Sequence, residues 1–218
     1  MRVETAAQNL ANATTPGFKA RLQFPTLVAG DPGESVVNAP RGDSAIDFTN
    51  GQLRNTGNPF DLAISGSGFF VVRSRDGVFY TRNGQFGVDA DGRLVTPDGL
   101  SLQSSAGDVV VSRNDPKVLA DGTVLDGQQP AGRLAIVDFS DPRVLRAAGA
   151  GLFSASGETP RDVAVPQVRQ GMLETSNVST ADEMLTIMTA LQSAQSGAKM
   201  VQVYDDLLGR AVTAFGQS

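Results

Sequence analysis

The stretch YTRNGQFGVDADGRLVTPDG, residues 80–99, places three turn dipeptides within twenty residues: Asn83-Gly84, Asp91-Gly92 and Asp98-Gly99. Asn and Asp tolerate left-handed backbone and Gly adopts it freely, so each pair predicts a tight reversal between strands. Four more such pairs lie around it, at Asn50-Gly51, Asp76-Gly77, Asp121-Gly122 and Asp126-Gly127. Short apolar or alternating runs fill the gaps, among them Asp61-Leu62-Ala63-Ile64, Phe69-Phe70-Val71-Val72, Val109-Val110-Val111 and Leu134-Ala135-Ile136-Val137. Strands this short and this regularly punctuated predict an antiparallel β-rich domain, a barrel or a sandwich, over residues 58–167.

Outward from that domain the texture changes. Residues 179–214 carry apolar side chains at alternating spacings of three and four: Met184, Ile187, Leu191, Ala194, Ala198, Val201, Leu208, Val212 and Phe215, with Asp205 the one polar member. A 3.5-residue period held over four heptads predicts a coiled-coil helix. Ser179 and Thr180 stand three residues before Asp182 and Glu183, the pattern of a capping box at its start. At the other end Val3, Ala6, Leu10 and Ala13 form a helical stripe, which Thr14-Thr15-Pro16-Gly17 then breaks. A helix that short is marginal alone in water. Its expected partner is the long C-terminal helix, with Leu10 on the shared seam. The expected fold is therefore α+β: an antiparallel β-rich middle domain with N- and C-terminal helices pairing as a coiled coil. The divisions are 1–18 (helix and turn), 19–57 (an extended, irregular linker with Pro25, Pro32 and Pro40), 58–167 and 168–218.

Composition narrows the function. The net charge of −5 and the lack of any Lys/Arg cluster argue against nucleic acid, and only three of the 18 basic residues are lysines. Cysteine and histidine are both absent, which removes thiolate chemistry and the commonest general base and metal ligand. No apolar run reaches transmembrane length and no cleavable signal peptide is visible. Ser196-Gly197-Ala198-Lys199 matches a Ser-x-x-Lys pattern but lies deep in the helix, without the companion Lys-Thr-Gly. Asp89-Ala90-Asp91-Gly92 begins like a calcium loop, then places Arg93 and Leu100 at ligand positions. Gly66-Ser67-Gly68 leads into strands rather than a helix. The expectation is a protein with no catalytic, cofactor-binding or metal-binding residues.

Four segments carry a resemblance, in one order. NLANATTPGFKA (9–20) resembles the N-terminal signature of the bacterial flagellar rod, hook and axial family, in which an asparagine-rich helix end leads into a Thr-Pro-Gly-Phe-Lys turn. TGNPFDLAISGSGFFVV (56–72) and YTRNGQFGVDADGRLVTPDG (80–99) are similar to the family's entry into its β domain and the hairpins that follow. QGMLETSNVSTADEM (170–184) resembles its C-terminal motif. By this resemblance the motif residues are Asn9, Asn12, Pro16, Gly17, Phe18, Ser176 and Asn177.

The resemblance implies a structural subunit of the flagellar basal-body rod, self-assembling through its terminal helices into the axial drive shaft. It implies export through the type III apparatus without a cleaved signal, and other rod subunits as partners. The small β domain favours a rod subunit over a hook protein; of the two rod positions, whose motifs are largely shared, the proximal is preferred, with a distal rod or hook-type subunit as the alternative. Two departures are visible. The family's first helix is about twenty residues longer, so the native N-terminus is expected upstream of Met1 or the helix is shortened. Gln192-Ser193-Ala194-Gln195 lacks the family's Gln-Arg-aromatic sequence. An envelope-associated β binding module and a cell-wall hydrolase are the competing classes; 6% aromatic residues, no Trp and no singled-out carboxylate pair speak against them.

Overall fold

The computed structural model describes residues 2–23, 44–75, 77–112, 116–157 and 159–215, with side chains described as far as Leu207. Much of the expected linker, together with Asp76 of one turn dipeptide, lies outside the described residues. The chain divides into two compact units. One holds residues 1–11 and 179–218, the other residues 12–178.

The first unit is helical. Helix α1 spans Arg2–Ala11 and helix α2 spans Thr180–Phe215. The two pack on one another, with Ala6 and Asn9 of α1 buried and Leu10 half-buried. Asn9 Nδ2 donates to Glu183 Oε1 at 2.7 Å. The backbone N–H of Asp182 donates to the Ser179 hydroxyl at 3.4 Å, so Ser179 caps α2. Asp182 is the residue three positions beyond this cap, while the next carboxylate, Glu183, is the one that accepts from Asn9.

The second unit is antiparallel throughout. Its largest sheet runs, in order of neighbours, Leu145–Gly149, Leu152–Ala155, Gly77–Thr81, Phe69–Ser74, Ser101–Ser104, Leu94–Val95 and Gly87–Val88. Ile136–Asp138 also pairs with Phe69–Ser74, and carries Arg161–Asp162 on its other side. A separate three-stranded sheet joins Lys117–Val118, Thr123–Asp126 and Gln129–Arg133.

Side chains alternate across a strand, and Phe69 and Phe70 show the result. Phe70 enters a core with Leu62, Val72, Leu94, Leu102, Val109 and Val124. Phe69 enters a second core with Tyr80, Val137, Phe139, Leu145 and Phe153. Edge-to-face rings fill the second core: Phe48 and Phe153 each pack on Phe69, with centroids 5.6 and 5.9 Å away. A continuous apolar run thus serves both faces of the central strand.

Three strands fall inside the stretch expected to be irregular. Arg21–Gln23 pairs with Ser44–Ile46, and Leu53–Asn55 pairs with Met172–Glu174. Leu62–Ile64 pairs with Val168–Gln170. Local periodicity does not reveal the first three, because partners far along the chain impose them. The pairing also carries the β unit past Gly171, as far as Glu174.

Candidate functional site

Two features stand out: the bare length of α2 and a buried charge cluster within the β unit. The helix comes first. At 1.5 Å per residue α1 is about 15 Å long and α2 about 54 Å, so α1 can cover only a fraction of its partner. From Leu191 to Leu207 every side chain of α2 is exposed. Among the expected seam residues Ile187 is half-buried, whereas Met184, Leu191, Ala194, Ala198 and Val201 are exposed. The seam positions Leu208, Val212 and Phe215 lie in α2 beyond the described side chains.

A second stripe was not foreseen. Met200, Val203, Tyr204 and Leu207 are all exposed, from 57% to 78%, at the i, i+3, i+4, i+7 spacing of one helix face. At 100° per residue this face lies about 160° round α2 from that of Met184, Ile187, Met188 and Leu191. The stripe falls outside the 3.5-residue seam, whose member in that turn is Asp205.

The buried cluster centres on Glu174, at the end of strand Met172–Glu174. Lys19 Nζ lies 2.6 Å from Glu174 Oε1, and Arg82 Nη1 lies 3.2 Å from Glu174 Oε2. The side chains of Lys19, Arg82 and Glu174 are 1%, 4% and 1% exposed. Further bonds complete the set. Lys19 donates to Thr49 O at 2.7 Å, Gly51 N–H donates to Glu174 Oε1 at 2.8 Å, and Arg82 donates to Ile64 O and Gly66 O. The guanidinium also sits over the Phe69 ring, 5.4 Å from its centroid.

Burial pushes the Lys19 ammonium below its ordinary value, against the opposing pull of Glu174. Burial likewise lowers Arg82, with Glu174 again opposing. Two cations share one carboxylate, and the fields of Asp47 and Asp138 add to it. Removing the carboxylate would strand both cations and cost on the order of 3–5 kcal/mol.

Of the residues singled out by resemblance, Gly17 and Asn177 bond to the segments that hold this cluster. Gly17 takes a positive φ of 67° and donates its N–H to Glu174 O at 2.8 Å. A Cβ on Gly17 would strike the Arg82 carbonyl. Phe18 is buried and Pro16 half-buried. Asn12 closes the turn, its carbonyl accepting from Thr15 N–H at 3.1 Å. Asn177 accepts from Ala20 N–H and donates to Asp47 O and Thr49 O. Ser176 accepts from Val178 N–H through its hydroxyl. Asn9 belongs to the helical unit, on Glu183.

Lys19, Arg82 and Glu174 each sit inside a stretch quoted above, yet none was singled out. Lys19 is flanked by Phe18 and Ala20, and Glu174 follows Leu173, so both occupy apolar contexts. Three lysines in 218 residues was the available hint that a lysine here has a special place.

Other chemistry is not in view. No group of three or more acidic residues that could hold a metal occurs among the described residues. Among them, no helix is long and apolar enough to cross a membrane. Ser196 and Lys199 are exposed on α2. Asp89 accepts from Asp91 N–H and from the Arg93 backbone and side chain, so the calcium-like stretch is a turn closed by its own arginine.

Two family models match the chain. Residues 63–125 match the flagellar hook protein FlgE/F/G D1 domain, and residues 169–214 match the flagellar basal body rod FlgEFG protein C-terminal family. The chain is 31% identical to the flagellar basal-body rod protein FlgF of Caulobacter vibrioides, across 99% of this chain and 92% of that protein. It is 32% identical to FlgG of Borreliella burgdorferi, across 96% and 91%, and 33% identical to FlgF of Escherichia coli, across 94% and 88%. With helices at both ends, a β unit between them and likeness along almost its whole length, the chain belongs to the flagellar basal-body rod protein family.

Proposed function

We propose that the chain is a non-catalytic structural subunit of the flagellar basal-body rod, joined to other rod subunits through its terminal helices. The observation that carries this reading is the exposure of α2 from Leu191 to Leu207, including Leu191, Met200, Val201, Val203, Tyr204 and Leu207. A helix apolar on two faces is stable only when neighbours cover both. The seam at Leu10, Met184, Ile187, Leu191, Ala194, Ala198, Val201, Leu208, Val212 and Phe215 is then the coiled-coil contact of an inner layer. The helices of residues 1–11 and 179–218 would form that layer, and the β unit of residues 12–178 would be its outer domain, in place of the expected divisions at 18, 57 and 167. A contact whose rotation does not close builds an open helical array, the geometry of a shaft. The proximal rod is the preferred position and the type III apparatus the expected export route.

Complementation of a deletion strain tests the reading. Removing residues 180–218 keeps Glu174 and Asn177, and so keeps the β unit, but removes the α2 contact surface. The expected outcome is a folded, soluble protein that restores neither swimming nor its own place in purified basal bodies. Restored motility by the truncated chain would overturn the assignment.

A further inference from the structure

We propose that the Lys19–Glu174–Arg82 cluster makes docking of the N-terminal turn conditional on the C-terminal strand, so that residues 17–20 stay off the β unit until Met172–Glu174 has paired with Leu53–Asn55. The two cations are not equivalent. Besides Glu174, Arg82 has Ile64 O, Gly66 O and the Phe69 ring as partners. Lys19 has Thr49 O as its other hydrogen-bond acceptor. Docking the turn without Glu174 would bury an ammonium beside a guanidinium with no carboxylate between them. A buried charge in that position is strongly disfavoured.

Chain order sharpens the condition. Lys19 and Arg82 are made first and Glu174 late, so a chain growing from its N-terminus holds both cations before their counter-charge exists. The backbone repeats the dependence, because Gly17 N–H needs Glu174 O and Ala20 N–H needs Asn177 Oδ1. Lys19 therefore acts as a gate that the last strand opens, and both ends of the chain are fastened in one event.

Hydrogen exchange on the full chain tests this, with Glu174→Gln, Lys19→Met and the double variant. Glu174→Gln turns an amide into a cluster of donors and leaves both cations unpaired. Amides 17–20 are expected to exchange on the order of 100-fold faster, while those of Phe69–Ser74 stay protected. In the double variant the gate is gone, the Met stem fills the Lys19 site, and Asn177 Nδ2 still serves Thr49 O. Protection at 17–20 should then return to within about tenfold of the parent. Unchanged protection at 17–20 in Glu174→Gln, or equal release in the double variant, would overturn the proposal. If Glu174→Gln protects no amide at all, the double variant decides alone: protected 17–20 supports the gate, and an unfolded chain refutes it.

Discussion

Asn177 Oδ1 accepts the backbone N–H of Ala20 at 2.7 Å, across 157 residues of chain. The same side chain turns its Nδ2 to Asp47 O at 2.8 Å and Thr49 O at 3.1 Å. One amide thus ties three segments that share no local sequence pattern. Asn177→Ala removes an acceptor and a donor together, leaving Ala20 N–H and Asp47 O to find water. The expected loss is roughly 1–3 kcal/mol, seen as a lower urea midpoint at unchanged slope. Asn177→Asp keeps the acceptor, and should lose less than Ala only if the Ala20 bond dominates.

Gly17 and Gly99 both hold positive φ, 67° and 81°, yet their surroundings differ. Nothing lies within 4 Å of a Cβ at Gly99, whereas one at Gly17 meets the backbone of Arg82 and Asn83. Gly99→Ala should cost about 1 kcal/mol, the left-handed penalty alone. Gly17→Ala should cost at least about 3 kcal/mol, because backbone cannot move aside as a side chain can. Denaturant unfolding of the two variants side by side measures the difference.

Tyr204 is 64% and Leu191 54% exposed, on nearly opposite faces of α2. Leu191→Asp and Tyr204→Asp should each shift the melting free energy of the dilute chain by no more than about 0.5 kcal/mol. Both should still abolish incorporation into basal bodies, since a carboxylate in an apolar contact must be desolvated or excluded. Basal-body content scored by immunoblot checks this. Loss with Leu191→Asp but normal incorporation of Tyr204→Asp would mean that only one face is covered.

Asp141 is held below its ordinary value of 3.8 chiefly by the Arg143 side chain, and Asp121 chiefly by the Thr123 backbone N–H. A depressed carboxylate contributes stability that is present above 3.8 and lost as pH falls through its lower folded value. Acid loosening of these turns should accordingly begin below 3.8. Carboxyl NMR titration should place both midpoints there, and Arg143→Ala should move Asp141 back up while leaving Asp121 unmoved.

The turn dipeptides at Asp91-Gly92, Asp98-Gly99, Asp121-Gly122 and Asp126-Gly127, the apolar runs and the long amphipathic helix were legible because each is a local pattern. Gly51 and Gly84, by contrast, take no positive φ, and Asn50-Gly51 and Asn83-Gly84 form no tight turn. Gly92 in Asp91-Gly92 and Gly99 in Asp98-Gly99 adopt the positive φ their residue type permits. Helix α2 begins at Thr180, one residue after the capping Ser179. The β-rich class, the two terminal helices and the family resemblance follow from residues read within a few positions of one another. Strands Leu53–Asn55 and Arg21–Gln23 carry no such signal, since each exists through hydrogen bonds to a segment far along the chain. The same holds for Glu174: in sequence it is one of 23 acidic residues, and only the tertiary structure sets it between Lys19 and Arg82. Periodicity is written into neighbouring residues, so the sequence by itself determined the two helices and the apolar strands of the β unit. The pairing of a charge at 174 with charges at 19 and 82 depends on which surfaces are desolvated together, and only the folded chain decided that.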